Sequence, residues 1–380
     1  MPRFRPGGRG AGFREGNMAR KEALIYGGGM SGLVAAINLA REDYRVVIRE
    51  TEDSYGGSKI YNPSTHVTPI DVGKTSDFIG IDVRPVFHKT IRCPAYLHDT
   101  KFQFPVYEVY GVERGTRPGS LDTLLYGECL DLGVEFEFST PLRAEDVPHL
   151  KPGTIIACGL IPAAYKMMDV PFLPVHMWLS RGEIGFTDYA WLWFDEGITE
   201  YGYLSSVNNY YFDLLFSFGR RVAEDTLERY KDFMVRNEGV EHDAWDYQVG
   251  AVPLARPDNY RLFRDGLIMC GTMSGAIDPF MGFGISGALV TGKVAALAVY
   301  DPVAAQAEFD RFLAGFRRSF YIKELWKRFT RPNVNRMERH VRMVGVERVN
   351  RLVKLTEREK SLLPLPFGTP GFGHANIYKK

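Results

Sequence analysis

The 380-residue sequence predicts an α/β fold: a Rossmann-type nucleotide-binding core, an inserted and mainly antiparallel β domain, and a C-terminal helical region. Three observations predict it. A glycine turn joins a short apolar strand to an apolar helix near the start. Aromatic and polar residues alternate over 175–220. A second glycine turn follows a late apolar strand and opens a helix of small residues.

Ala23–Tyr26 reads as a buried strand, Gly27–Gly32 as the turn, Leu33–Arg41 as an apolar helix and Arg45–Arg49 as a second strand. That is one βαβ unit. Leu121–Leu132 reads as a helix, Val134–Phe138 and Thr154–Ala157 as strands, and Ala223–Val235 as a helix. Leu267–Cys270 is a strand and Ile285–Val299 a helix. From Ala304 the chain is helical and increasingly basic. Residues 58–104 show no clear period. Residues 1–20 are rich in Gly and Arg and are expected to be a disordered leader.

The formal net charge of +1 argues against a dedicated nucleic-acid binder. The four cysteines, Cys93, Cys129, Cys158 and Cys270, are far apart and form no CxxC pair, so no metal site is predicted. Their scatter fits a reducing cytosol. No apolar run reaches the roughly 18 residues that span a bilayer.

Gly27-Gly28-Gly29-Met30-Ser31-Gly32 is a GxGxxG. Gly27 makes the tight turn, Gly29 lets a pyrophosphate approach the backbone, and Gly32 lets the helix pack on its strand. Met30 and Ser31 open the helix, whose free N–H groups face the phosphates. Glu50 ends the next strand, where a carboxylate takes ribose hydroxyls and disfavours a 2′-phosphate. Gly56-Gly57 after that strand, the Thr154–Gly159 strand end, and the turn Gly271-Thr272-Met273-Ser274-Gly275 point to FAD rather than NAD. Asp278–Ile285 then opens a helix whose N-terminal dipole stabilises negative charge on a reduced flavin, with Gly282, Gly284 and Ile285 at the ring. With no second GxGxxG, the electrons come from an external donor: a ferredoxin-like protein or a transient nicotinamide, NAD(P)H.

This order of motifs resembles the geranylgeranyl reductase family, within the para-hydroxybenzoate hydroxylase-like flavoproteins. Three passages over roughly residues 22–300 carry the resemblance: the nucleotide motif; Gly111-Val112-Glu113-Arg114 followed by Leu121-Asp122; and Gly250–Pro253 with Gly271–Gly275 and Pro279–Gly287. The resemblance implies that Arg114 lies near the cofactor. It also implies that Tyr189, Trp191 and Trp193, within a variant of the family's Y-x-W-x-F-P motif, line the substrate pocket with Pro279 and Phe280. Two departures stand out. Thr272 replaces the family's Asp. Cys158-Gly159 replaces the Asp-Gly of the hydroxylases, which argues against a hydroxylase.

The expected organisation is therefore a discontinuous FAD-binding domain over 21–57, 105–165 and 251–300, an irregular insertion near the active site over 58–104, a substrate-binding β-sheet domain over 166–250, and a basic helical region and tail over 301–380. No catalytic acid or base is identifiable. His66, His88 and His98 are expected to be structural, because their spacing fits no metal pattern. The implied reaction is reduction of C=C bonds in an isoprenoid or other apolar substrate; the alternative is a dehydrogenase or oxidase acting on a smaller polar one. Between Arg317 and Lys360 there are 14 Lys and Arg against 5 Asp and Glu, interleaved with Phe316, Phe320, Trp326 and Phe329. Two readings stand for this stretch: peripheral contact with anionic lipid at the inner face of a membrane, or a solvated helix face.

Overall fold

The computed structural model describes residues 21–103, 109–242, 244–279, 281–330 and 333–348. The expected leader, Phe280 and the tail beyond residue 348 lie outside them.

The nucleotide-binding core is a six-stranded sheet in the order Phe263–Arg264, Leu267–Met269, Ile155–Ile156, Glu22–Tyr26, Arg45–Arg49, Glu135–Glu137. All neighbours are parallel except the outer pair at residues 263–269. Its central strands are apolar and covered on both faces, as parallel sheets require. Helix Met30–Arg41 is buried from Met30 through Leu39 and crosses helix Ile285–Tyr300 at very short range. A Cβ on Gly292 would lie 2.7 Å from the Ser31 carbonyl oxygen and 2.8 Å from the Val34 Cβ. The small residues of Ile285–Tyr300 are what permit this crossing.

A seven-stranded sheet forms the second layer: Asp246–Pro253, Phe172–Glu183, Tyr210–Phe218, Gly202–Val207, Tyr189–Phe194, Pro94–Leu97, Thr100–Gln103. The expected antiparallel block is present, and every pairing is antiparallel except Tyr189–Phe194 with Pro94–Leu97. Side chains alternate between faces with period two. One face carries Tyr96, Trp191, Trp193, Leu204 and Leu215 onto helix Glu224–Glu238, against Tyr230 and Phe233. The other carries Val175, Leu192, Tyr201, Tyr203, Leu214 and Phe216 toward the nucleotide-binding core.

The expectation of an irregular 58–104 is corrected. This segment holds strands Ser64–Pro69, Phe87–Lys89, Pro94–Leu97 and Thr100–Gln103 and helix Val72–Ile79. Ser64–Pro69 and Phe87–Lys89 flank Val109–Arg114 in a third, antiparallel sheet. The other two strands extend the seven-stranded sheet. Strands this short hold too few residues for a period to stand out. Thr65 ties the third sheet to the second: its hydroxyl donates to the Ser205 carbonyl at 2.6 Å.

Helix Pro302–Thr330 buries Ala305, Phe309, Phe312, Leu313 and Phe316 in the main core. This corrects the placement of Phe316 at a membrane surface; at 3% exposure it is a core residue. Phe320 is half-buried and Tyr321 exposed, and the side chains of Trp326 and Phe329 lie outside the described set. Some of the basic residues pair locally, Arg317 with Asp310 and Arg342 with Glu338. Among the described residues no helix is long and apolar enough to cross a membrane.

Helix Val334–Val344 docks on the far edge of the seven-stranded sheet through Glu338. One Glu338 oxygen pairs with His98 Nδ1 at 2.9 Å and the other accepts from Thr100 at 2.7 Å. His98 Nε2 meets Glu196 at 2.6 Å. Burial alone would lower the His98 pKa, but the hydrogen bonds to Glu338 and Glu196 outweigh it and raise the value above the ordinary one. A raised histidine contributes while protonated, and that contribution is lost as pH climbs through the raised value. Amide protection over residues 334–344, corrected for intrinsic exchange, is therefore expected to fall between about pH 6 and about pH 9. The fall should be absent in His98→Phe. Equal protection at the two pH values in the wild-type protein would contradict this docking mode.

Candidate active site

One cavity runs from the glycine turn at Gly27 to the inner face of the seven-stranded sheet. At its first end lie Gly27, Gly29, Met30, Ser31, Glu50, Gly56, Gly57, Arg114 and Gly159. Thr272, Gly282, Gly284 and Ile285 line its middle. Val175, Leu192, Tyr201, Tyr203, Leu214, Phe216, Ala251 and Val252 form the far wall. Of the cofactor residues named from sequence, all but Gly32 and Gly271 line this cavity.

The three motif glycines do different work. A Cβ on Gly27 would meet the Ala157 carbonyl oxygen at 2.3 Å, and one on Gly32 the Gly27 carbonyl oxygen at 2.0 Å. These two allow helix, turn and strands to pack, and Gly32 itself does not line the cavity. A Cβ on Gly29 would meet only the Gly57 Cα, at 4.0 Å. Its space is open and belongs to the cavity. Similar room lies beside Gly57, Gly159, Gly282 and Gly284, where nothing comes closer than 3.8 Å to an added Cβ. Gly271 packs on Ser31 with φ at +59° and stands behind the lining.

Glu50 is buried. Its Oε2 accepts the Gly28 N–H and its Oε1 the Glu52 N–H, the latter at 2.9 Å. Burial raises its pKa, and the two backbone donors oppose that shift. Arg114 is held by Asp122 through Nε and Nη2 at 3.2 and 3.1 Å, and Nη2 also reaches the Gly56 carbonyl at 3.3 Å. Asp122 is fully buried and also accepts the Gly115 N–H at 2.8 Å. The sequence singled out Arg114 and passed over its partner, although Asp122 stood within the same motif. Thr272 faces the cavity with its Oγ1 buried beside the Tyr165 hydroxyl.

The substrate-pocket residues need correction. Tyr189, Trp191 and Trp193 do not line the cavity. Trp191 is fully buried on the opposite face, donating its indole N–H to the Tyr230 hydroxyl at 3.0 Å. Tyr189 donates to Glu238 on helix Glu224–Glu238. Strand parity is the reason: with three aromatics at odd positions turned to the helix, Leu192 is the residue turned to the cavity. Pro279 is buried beside the lining, its carbonyl accepting from Lys323 at 2.6 Å. Phe280 lies outside the described residues.

Sequence reasoning offered Tyr61 and His66 only as potential contacts for a smaller polar substrate and passed over Tyr203; all three line the cavity. His66 lies on the cavity wall, wedged among the rings of Tyr61, Tyr203 and Phe212. Its Nε2 meets Ser64 Oγ at 2.9 Å and its Nδ1 the Tyr203 hydroxyl at 3.0 Å. Burial, aided by the charge of Arg114, lowers its pKa to about 3, so the ring is neutral at ordinary pH. Tyr201 donates to the Met281 carbonyl at 2.7 Å and fixes the loop that precedes Ile285. Cys158 also lines the cavity; burial pushes its thiol up to about 12, which leaves it unreactive as a thiolate.

Comparison with known proteins bears on the fold. Residues 25–73 match the profile of an NAD(P)-binding Rossmann-like domain. A 139-residue stretch is 27% identical to the flavin-containing monooxygenase FMO GS-OX2 of Arabidopsis thaliana, covering 36% of this chain and 29% of that protein. A 72-residue stretch is 37% identical to FMO GS-OX4 of the same plant, covering 19% and 14%. The chain thus spans well under half the length of these relatives. Among solved structures, a geranylgeranyl bacteriochlorophyll reductase-like protein from Thermoplasma acidophilum superposes with a TM-score of 0.56 at 14% identity, over 94% of this chain and 96% of that one. A 2-methyl-3-hydroxypyridine-5-carboxylic acid oxygenase gives 0.55 at 13% identity, over 79% and 88%. The fold is that of the flavin-dependent oxidoreductases, and the reductase-like protein shares it over nearly the whole chain.

Proposed function

We propose that the protein is an FAD-dependent oxidoreductase that reduces C=C bonds of an apolar, isoprenoid-like substrate. FAD is the cofactor that the fold and the glycine cradle indicate. The residues fit it: open space beside Gly29 and Gly57 for a pyrophosphate, Glu50 for ribose hydroxyls, and the Thr272 hydroxyl on the cavity lining. When bound and reduced, a flavin supplies hydride. The remaining contribution is the chain's own. Arg114, steadied by Asp122, offers positive charge near Gly56-Gly57. The start of helix Ile285–Tyr300 offers backbone N–H groups to developing negative charge. Val175, Leu192, Leu214, Phe216 and Val252 exclude water and hold an apolar body.

The observation that carries the reading is the continuity of one cavity from the glycine cradle to this apolar wall. Electrons would come from an external donor, a ferredoxin-like protein or NAD(P)H. Contact with anionic lipid would be made by the exposed basic side chains alone, because Phe316 is buried in the core. The test is anaerobic: dithionite-reduced holoprotein mixed with geranylgeraniol and related polyprenols. Flavin reoxidation matched by product two hydrogens heavier is expected; unreacted substrate with persistently reduced flavin would overturn the reading.

A second reading, a dehydrogenase or oxidase of a smaller polar substrate, draws on Tyr61, His66 and Tyr203 in the same cavity. Hydrogen peroxide formed during turnover of a soluble substrate in air would favour it.

A further inference from the structure

The polar groups on the cavity wall form a chain whose proton positions can be worked out. Ser64 Oγ lies 2.7 Å from the Tyr61 carbonyl oxygen. A carbonyl only accepts, so the single Ser64 proton points there. Ser64 Oγ is therefore an acceptor toward His66 Nε2 at 2.9 Å, and Nε2 carries the proton. His66 is neutral, so Nδ1 bears a lone pair and accepts from the Tyr203 hydroxyl at 3.0 Å. The Tyr203 proton is thereby committed to His66. Among the described residues no group donates to the Tyr203 oxygen. Tyr203 is buried and lines the cavity, with its ring against Tyr201 and Phe216.

We propose that Tyr203, oriented by His66 and Ser64, is a hydrogen-bond acceptor that selects a substrate whose apolar body carries a hydroxyl or N–H donor. A neutral tyrosine hydroxyl usually gives as well as takes. Here the giving is used up inside the wall, and what remains for a ligand is a lone pair. An ether or carbonyl oxygen brought to the same point would face that lone pair unpaired, a loss charged to the ligand. His66 and Ser64 are positioning residues: they set the direction of the Tyr203 proton.

This inference rests on reading the cavity as the substrate pocket, and its test reads binding rather than turnover. Titration calorimetry on the FAD-loaded protein compares geraniol with geranyl methyl ether, and 4-propylphenol with 4-propylanisole. At least one hydroxyl compound is expected to bind roughly five- to tenfold more tightly than its methyl ether, the factor of one hydrogen bond. Tyr203→Phe should bring that ratio to about one while leaving ether affinity unchanged. His66→Phe frees the Tyr203 proton to turn into the cavity, where it can serve an ether oxygen as well as a hydroxyl, so the ratio should fall toward one. His66→Asn, whose side-chain oxygen takes the place of Nδ1, should restore the hydroxyl preference. Equal affinities in the wild-type protein, a preference that survives Tyr203→Phe, or no binding of any of the four compounds would overturn the proposal. Geraniol that binds with the expected preference yet is never reduced would leave Tyr203 selection standing and remove the reductase reading instead.

Discussion

Gly29→Val is expected to abolish FAD binding while leaving the apoprotein folded. Gly29 sits before the helix at φ −86° and ψ 179°, an extended conformation that a β-branched residue adopts readily. The nearest atom to an added Cβ is 4.0 Å away, so the valine side chain would enter open cavity. That space is where a dinucleotide pyrophosphate must pass close to the backbone. FAD affinity should fall on the order of a hundredfold or more, with the melting temperature of the apoprotein within a few degrees of wild type. Calorimetric titration with FAD and a thermal melt of the stripped protein check the two halves. A variant that binds FAD normally would place the pyrophosphate elsewhere.

Gly32→Ala is expected to do the reverse and damage the fold itself. Its Cβ would lie 2.0 Å from the Gly27 carbonyl oxygen and 3.4 Å from the Ala157 Cβ. Both contacts are at the hub where the first helix leaves the central strands, and backbone cannot move aside there as a flexible side chain would. Overpacking at such a point costs about 3 kcal/mol or more, a large share of the stability of an ordinary domain. Urea unfolding of the apoprotein should show a lower midpoint with an unchanged slope. An unaltered midpoint would mean that helix and turn separate more easily than the packing suggests.

These two glycines also show why part of the site was legible from sequence. Their roles follow from a local motif, strand–turn–helix, whose geometry is set within about ten residues. Glu50, Gly56 and Gly57 follow at short range. Arg114 is legible through its motif, but the reason it stays in place is the buried Asp122, a tertiary fact. The substrate end was not legible. The motif at Tyr189–Phe194 identifies a strand correctly and says nothing of which face is turned inward; helix Glu224–Glu238 takes the odd positions and leaves Leu192 to the cavity. His66 looked like an isolated histidine in a segment without period. Its setting depends on Ser64–Pro69 pairing with Val109–Arg114 and packing on Gly202–Val207, contacts up to 140 residues apart in sequence. Phe316, interleaved with arginines, resembled a membrane anchor until packing showed it inside the core.

The site proposed for FAD runs through this cavity, from Gly29 and Glu50 to the wall of the seven-stranded sheet. The most direct measurement is to strip the purified protein, supply FAD, remove the excess and release what stays bound by denaturation. About one FAD per chain is expected, released unmodified, and before release the visible spectrum of the bound cofactor should shift when an apolar alcohol is added. A protein that remains colourless and takes up no FAD under these conditions would contradict it.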